Sequence, residues 1–184
     1  MSTAPRPDGE AARTLTVRLL NPADAAAYQA LRVRGMTEHP QAFTSSAQEE
    51  SGRSLHWAQE RLRTMPQRPH DFFLGAFQGD ALVGVVGLQG RYRPKERHNA
   101  TVVGMYVAPE ASGLGAGRAL MRELLAQAAL HAGLEQLDLT VTAGNARAQA
   151  LYAACGFTVF GVLARASKVG DHYFDKVHMQ LRLR

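Results

Sequence analysis

Gly113, Gly115 and Gly117 recur at every second position between an apolar run ending at Val107 and a helical apolar pattern that begins near Leu120. That spacing clears side chains from a stretch of backbone, so its N–H groups can converge on one anion. A helix start just behind the turn adds unpaired donors and the positive end of the macrodipole. Together these make a candidate phosphate or pyrophosphate cradle that needs few side-chain ligands. Arg118 follows at once, and Ser112 stands in front of the turn. The same glycines also fit a plain connecting loop, so the surrounding elements have to decide. Other chemistry is sparse. His172 and His178 lie six apart on a strand-like stretch, hence on one face, but no third ligand accompanies them and no metal site is expected. Cys155 is the one cysteine, which excludes an internal disulfide and a cysteine-only metal cage. It fits a reducing cytoplasm and a small buried hydrophobe.

A chain of 184 residues is long enough for one domain with a real core and short for two. No apolar run approaches the roughly 20 residues that cross a bilayer, so no membrane partner is expected. Residues 1–13 carry two prolines before the first strand pattern and no signal-peptide core, and are expected to form a loose tail. Lys and Arg exceed Asp and Glu by 21 to 16. The arginines are scattered singly, without a basic run or interleaved aromatics, so the charge favours a polyanionic small ligand over nucleic acid.

The elements that must position these residues follow from periodicity. Residues 14–20 alternate as a first strand. Asn21-Pro22, with Asp24 behind them, open a helix that carries Tyr28 and Leu31 on one face before Gly35. Residues 38–52 are polar and loop-like. A second helix is expected from Ser54 to Met65, before Pro66. Strands at 72–77 and 81–88 flank the Gln78-Gly79-Asp80 turn, and a further strand at 99–107 enters the glycine turn. Behind that turn Met121, Leu124, Leu125 and Ala128 follow helical spacing, and residues 134–141 return as a strand at a length suited to parallel pairing. A short alanine-rich helix starts at Asn145, and residues 157–163 and 173–183 form a final antiparallel pair joined across Lys168–Asp171.

This order, with the glycine turn after the fourth strand, resembles the Gcn5-related N-acetyltransferase (GNAT) superfamily over residues 14–183. Two blocks carry the resemblance. One is Met105-Tyr-Val-Ala-Pro-Glu-Ala-Ser-Gly-Leu-Gly-Ala-Gly-Arg-Ala-Leu120, similar to the family's acetyl-CoA motif. The other is Asn145 to Tyr152 followed by Cys155-Gly-Phe157, similar to its signature after the fifth strand. The resemblance implies a single α/β (α+β) domain at 14–184: a mixed, mostly antiparallel sheet, splayed between strands 4 and 5, flanked by about four helices.

It also implies an N-acetyltransferase that takes acetyl-CoA as co-substrate and a primary amine, on a small molecule or peptide, as acceptor. Met105, Tyr106 and Val107 would line the pantetheine slot. Ser112, Gly113, Gly115, Gly117, Arg118 and Ala119 would surround the pyrophosphate, and Asn145 would bond the pantetheine from the far side. Tyr152 would be the general acid for the departing thiolate, and a backbone N–H near Tyr106 would face the oxyanion. Glu96 and His98, just before strand 4, would accept the amine proton directly or through water, with Glu49 and Glu50 as weaker candidates. Residues 36–52 and 90–98 would shape the acceptor pocket. One departure stands out. The family usually opens its phosphate turn with Arg or Gln, and Ser112 in that place implies weaker cofactor affinity, which Arg118 cannot be assumed to restore. An O-acetyltransferase, a user of longer acyl-CoA and an acyl-CoA-binding domain without turnover remain alternatives. The C-terminal strands could pair in a homodimer.

Overall fold

Alternation and helical spacing produce the expected elements almost throughout residues 14–183, which are those the computed structural model describes. The tail expected at 1–13 lies outside the described residues. Seven strands, β1 (Leu15–Leu19), β2 (Phe72–Gln78), β3 (Ala81–Gly90), β4 (Asn99–Val107), β5 (Gln136–Thr142), β6 (Thr158–Val169) and β7 (His172–Arg182), form one sheet. Their order is β1-β2-β3-β4-β5-β7-β6. Every pairing is antiparallel except that of β4 with β5.

The helices are α1 (Ala25–Glu38), α2 (Ala47–Ser51), α3 (Leu55–Leu62), α4 (Ala116–Ala129) and α5 (Ala146–Ala154). One face of the sheet is covered by α4, through Leu120, Met121, Leu124 and Ala128, and by Tyr152 of α5. The opposite face packs Phe73, Phe77, Val85 and Tyr106 against Tyr28 and Leu31 of α1 and Ala58 and Leu62 of α3. These are three layers, with the central strands β2 and β3 buried on both sides and β6 left largely exposed.

Two expectations need correction, and the end of the first helix is now defined. Helix α1 runs on past Gly35 to Glu38, because Gly35 is an ordinary helical residue here; a Cβ on it would lie 2.8 Å from the Tyr106 ring. That close approach seats the helix on β4 and carries Glu38 and His39 toward the sheet. The polar stretch at 38–52 contains α2, whose start is fixed by a reciprocal cap: Ser46 Oγ accepts from Glu49 N–H, and Glu49 Oε2 accepts from Ser46 N–H. Helix α3 ends at Leu62 and not at Met65, and Leu55 on its expected inner face is 48% exposed.

Two irregularities of the sheet make the site. Strands β4 and β5 pair only from Asn99–Thr101 to Gln136–Asp138 and then separate. The closed end is fastened by Asp138, which accepts a 2.7 Å bond from Thr101 Oγ1 and an ion pair from Arg91. Along β3, Val85 faces Tyr106 while Gly87 faces Val103, so Gly104 and Met105 together oppose Val86. This is a β-bulge, and Gly104 takes the left-handed φ of +64° that one of its residues needs.

Candidate active site

The separation of β4 and β5 opens a cleft of about 530 Å³. Residues 102–107 of β4 form one wall and 139–142 of β5 the other; the first turn of α4, the inner side of α5 and the segment after α1 complete it. Polar backbone of both walls faces this space, because neither strand has the other as a ladder partner here.

At one end lies the glycine turn, and its three glycines have different reasons to be there. Gly113 and Gly115 have φ of +83° and +80°, and a Cβ on either would meet nothing within 4 Å. They are required by backbone conformation. Gly117 is helical. A Cβ there would stand 3.2 Å from Leu151 Cδ2 and 3.4 Å from Met105 Cε, so its role is close packing at the floor of the cleft. Gly115 is the N-cap of α4, and the N–H groups of Ala116, Gly117 and Arg118 in the first turn have no intrahelical acceptor. Ala119 stands apart from this cradle: its N–H donates to Gly115 O at 2.9 Å, and it does not line the cleft. Ser112 offers less than its type suggests, since its N–H already donates to Pro109 O at 3.0 Å. Its hydroxyl accepts from Arg147 Nη1 at 2.7 Å. Arg147, in the first turn of α5, thus delivers a guanidinium to the position where Arg or Gln is usual and Ser112 stands.

Asn145 caps α5 through Oδ1, which accepts from Ala148 N–H at 3.0 Å, so its Nδ2 donors are the atoms left for the cleft it lines. Tyr152 also lines the cleft, is 6% exposed and meets Phe157 edge-on at 6.2 Å. Burial, with a smaller contribution from Cys155, pushes its hydroxyl up to about 12. It therefore holds its proton at neutral pH and is suited to give one to an anion formed beside it.

The model of the Acetyltransferase (GNAT) family matches residues 36–157. The chain belongs to that family. It is 33% identical over 90 residues to a phosphinothricin N-acetyltransferase from Alcaligenes faecalis, a stretch covering 48% of this chain and 46% of that protein. It is 38% identical over 103 residues to the N-alpha-acetyltransferase RimI of Mycobacterium tuberculosis, covering 55% and 61% respectively. The matched stretches thus span about half of each of these relatives. Among solved structures, yncA, a putative acetyltransferase from Salmonella typhimurium with its cofactor acetyl-CoA, superposes with a TM-score of 0.74 at 22% identity, over 93% of this chain and 95% of that one. The ribosomal-protein-alanine N-acetyltransferase of Brucella melitensis gives 0.72 at 25% identity, over 91% and 99%.

In this GNAT domain the groups expected to handle protons are dispersed. His98 and Glu96 sit beyond the closed end of the cleft and line no part of it. His98 Nε2 lies 3.0 Å from Asn99 Nδ2, and its carbonyl accepts from Glu135 and Gln136 N–H. Glu49 is engaged in the α2 cap, and Glu50 is buried in an ion pair with Arg32. The cleft and its margin instead bring together groups to which sequence alone gave no part in proton handling: Tyr106, expected in the pantetheine slot, and Glu38 and His39 from the stretch expected to shape the acceptor pocket. Tyr106 OH donates to Glu38 Oε2 at 2.6 Å, which lowers the Glu38 carboxyl; Arg34, paired with both Glu38 and Glu110, lowers it further. The Tyr106 hydroxyl is raised, first by burial and then by Glu38. His39, next along the chain, lines the cleft with its ring 6.2 Å from that of Tyr106.

Beyond His39 lies a second cavity of about 340 Å³ that shares His39, Ala42, Thr142 and Asn145 with the cleft and adds Gln41, Gly144 and Phe174. Its wall is latched. Lys176 Nζ donates to Gln41 O at 2.8 Å and to Thr142 Oγ1 at 2.9 Å, while Thr142 Oγ1 donates to Gln41 O. Burial lowers the Lys176 ammonium.

Proposed function

We propose that this protein is an acetyl-CoA-dependent N-acetyltransferase that transfers acetyl directly to a primary amine within a ternary complex. The observation that carries this reading is the single slot joining an anion cradle at its open end to the buried, protonated Tyr152. Acetyl-CoA fits the donor set. The first-turn N–H groups, with open space at Gly113 and Gly115, suit a pyrophosphate; Arg118 and Arg147 bring positive charge to the same end; and the exposed edge of β4 at Met105 to Val107 offers backbone partners to the amides of a pantetheine arm. When bound, acetyl-CoA supplies the thioester. Asn145 would hold the arm from the α5 side, and an N–H freed by the bulge beside Tyr106 would face the oxyanion.

Tyr152 gives its proton to the departing sulfur as the carbon–sulfur bond breaks, and recovers one from the amine nitrogen as the new amide forms. The acceptor enters from the second cavity, between the segment after α1 and β7. Glu96 and His98 would serve this chemistry only through water at the closed end of the strands. A cytoplasmic setting and a homodimer through the C-terminal strands complete the proposal.

The test is release of free CoA thiol from acetyl-CoA across amino acids, amino-acid amides, polyamines and short peptides, with wild-type protein and Tyr152→Phe. General acid catalysis contributes about 10²–10⁴-fold, so the variant should turn over at least about a hundredfold more slowly while binding acetyl-CoA with unchanged affinity. Equal turnover would return Tyr152 to the core, and failure of wild-type to bind acetyl-CoA would remove the activity itself.

A further inference from the structure

We infer that His39 is the general base that takes the proton from the acceptor ammonium. The inference rests on the acetyl transfer proposed above, and begins from what that reaction lacks. A lysine-like amine has a pKa of about 10.4 and arrives protonated, so a base must accept one proton before the nitrogen can attack. Among the described residues, no Asp or Glu lines either the cleft or the second cavity. The side chains with ionisable groups that do line them are Tyr106, Arg118, Arg147, Tyr152 and His39. Both tyrosines are raised, and arginine does not give up its proton, so neither type is the acceptor.

His39 has the position as well as the chemistry. It is one of four residues shared by the two cavities, so an amine passing from the second cavity toward the slot passes its ring. Its place is fixed from three sides. Gly35 brings α1 onto Tyr106 one turn earlier, Pro40 starts the short helical turn Pro40–Ala42 directly after it, and Lys176 and Thr142 hold that turn through the carbonyl of Gln41. The charged and titratable groups around it are Glu38 and Arg34 on α1, Tyr106 on β4 and Lys176 on β7. Glu38 is engaged by Tyr106 and Arg34, and Lys176 donates to carbonyl and hydroxyl oxygens, so none of the four blocks the imidazole by a bond of its own. His39 is exposed, and a proton it accepts can pass to solvent.

The protons balance. The first leaves the ammonium for His39 and then water; the neutral nitrogen forms the carbon–nitrogen bond; the carbon–sulfur bond breaks and sulfur takes the Tyr152 proton; the second amine proton restores Tyr152. One proton is released per turnover.

The experiment is the pH dependence of kcat/KM for wild-type and His39→Gln, using the fastest amine of the panel above. An exposed residue can be replaced without unfolding the domain, and an unchanged melting temperature and acetyl-CoA affinity would document that. Wild-type should show an acidic limb that reaches a plateau well below the pKa of the amine. The variant should be about a hundredfold slower at neutral pH, lose that plateau, and gain on wild-type as pH rises toward the amine's own pKa. A uniform drop with an unchanged profile, or a loss below threefold, overturns the role of His39 while leaving acetyl transfer intact. Absence of turnover by wild-type overturns both.

Discussion

At the scale of single residues, the cofactor end of the cleft rests on a replacement. Ser112 has too short a side chain to reach an anion as Arg or Gln would, and its N–H is used within its own turn. Arg147 approaches from α5 and donates to the Ser112 hydroxyl, so one guanidinium and one hydroxyl stand together at the cradle. A charge-assisted hydrogen bond contributes about 1.5–3 kcal/mol when its partner is ionised. Arg147→Gln should accordingly weaken acetyl-CoA binding by roughly tenfold or more, as read by calorimetry, and leave the stability of the free protein within about 0.5 kcal/mol, since surface substitutions usually do. Unchanged affinity would assign the pyrophosphate to the helix terminus and Arg118 alone.

At the scale of elements, the decisive unit is β4, its turn and α4. Gly115 lies in left-handed conformation with open space around it, whereas Gly117 is helical and crowded by Leu151 and Met105. Their alanine variants should therefore separate. Gly115→Ala forces an L-residue into the left-handed region, which costs about 1–2 kcal/mol, and should lower the denaturation midpoint. Gly117→Ala gains about 0.5–1 kcal/mol of helix propensity against a shift of two flexible side chains, so stability should hardly move, while the narrowed cleft floor weakens acetyl-CoA binding. Equal loss of stability in both would contradict the distinction drawn from their φ angles. The same unit shows what the sequence can reveal. Strand, turn and helix were legible because each has its own period and the glycines punctuate them. The bulge was not, because Gly104 looks like any strand glycine until β3 is set beside it in register. Helix α2 has five residues and no apolar period, so only its Ser46–Glu49 cap could have signalled it. His39 lies in the stretch expected to shape the acceptor pocket, but its place beside the slot was hidden for a similar reason: it is set by the packing of Gly35 on Tyr106, a contact between residues 35 and 106 that no local pattern encodes.

At the scale of the whole molecule, the sheet ends on β6, an edge strand of twelve residues with β7 as its one neighbour. Such an edge is an open template unless it is covered or disguised. Here Val159, Phe160, Val162 and Leu163 are each 55–60% exposed, which places four large apolar side chains within five residues. Two features make simple ladder extension awkward. The register slips at Phe160 and again between Leu163 and Ser167, and Arg165 adopts a φ of +52° with its guanidinium 3.8 Å from the centre of the Tyr173 ring. The apolar side chains, more than the backbone edge, are then what a second copy would cover. Light scattering on the purified protein at tens of micromolar should give twice the chain mass. Val162→Lys should return it to a monomer without lowering acetyl-CoA affinity, because β6 contributes nothing to the cleft lining. A monomeric wild-type under these conditions would leave the patch uncovered by self-association and end the homodimer proposal. A Val162→Lys protein that stays dimeric would place the interface elsewhere on the surface.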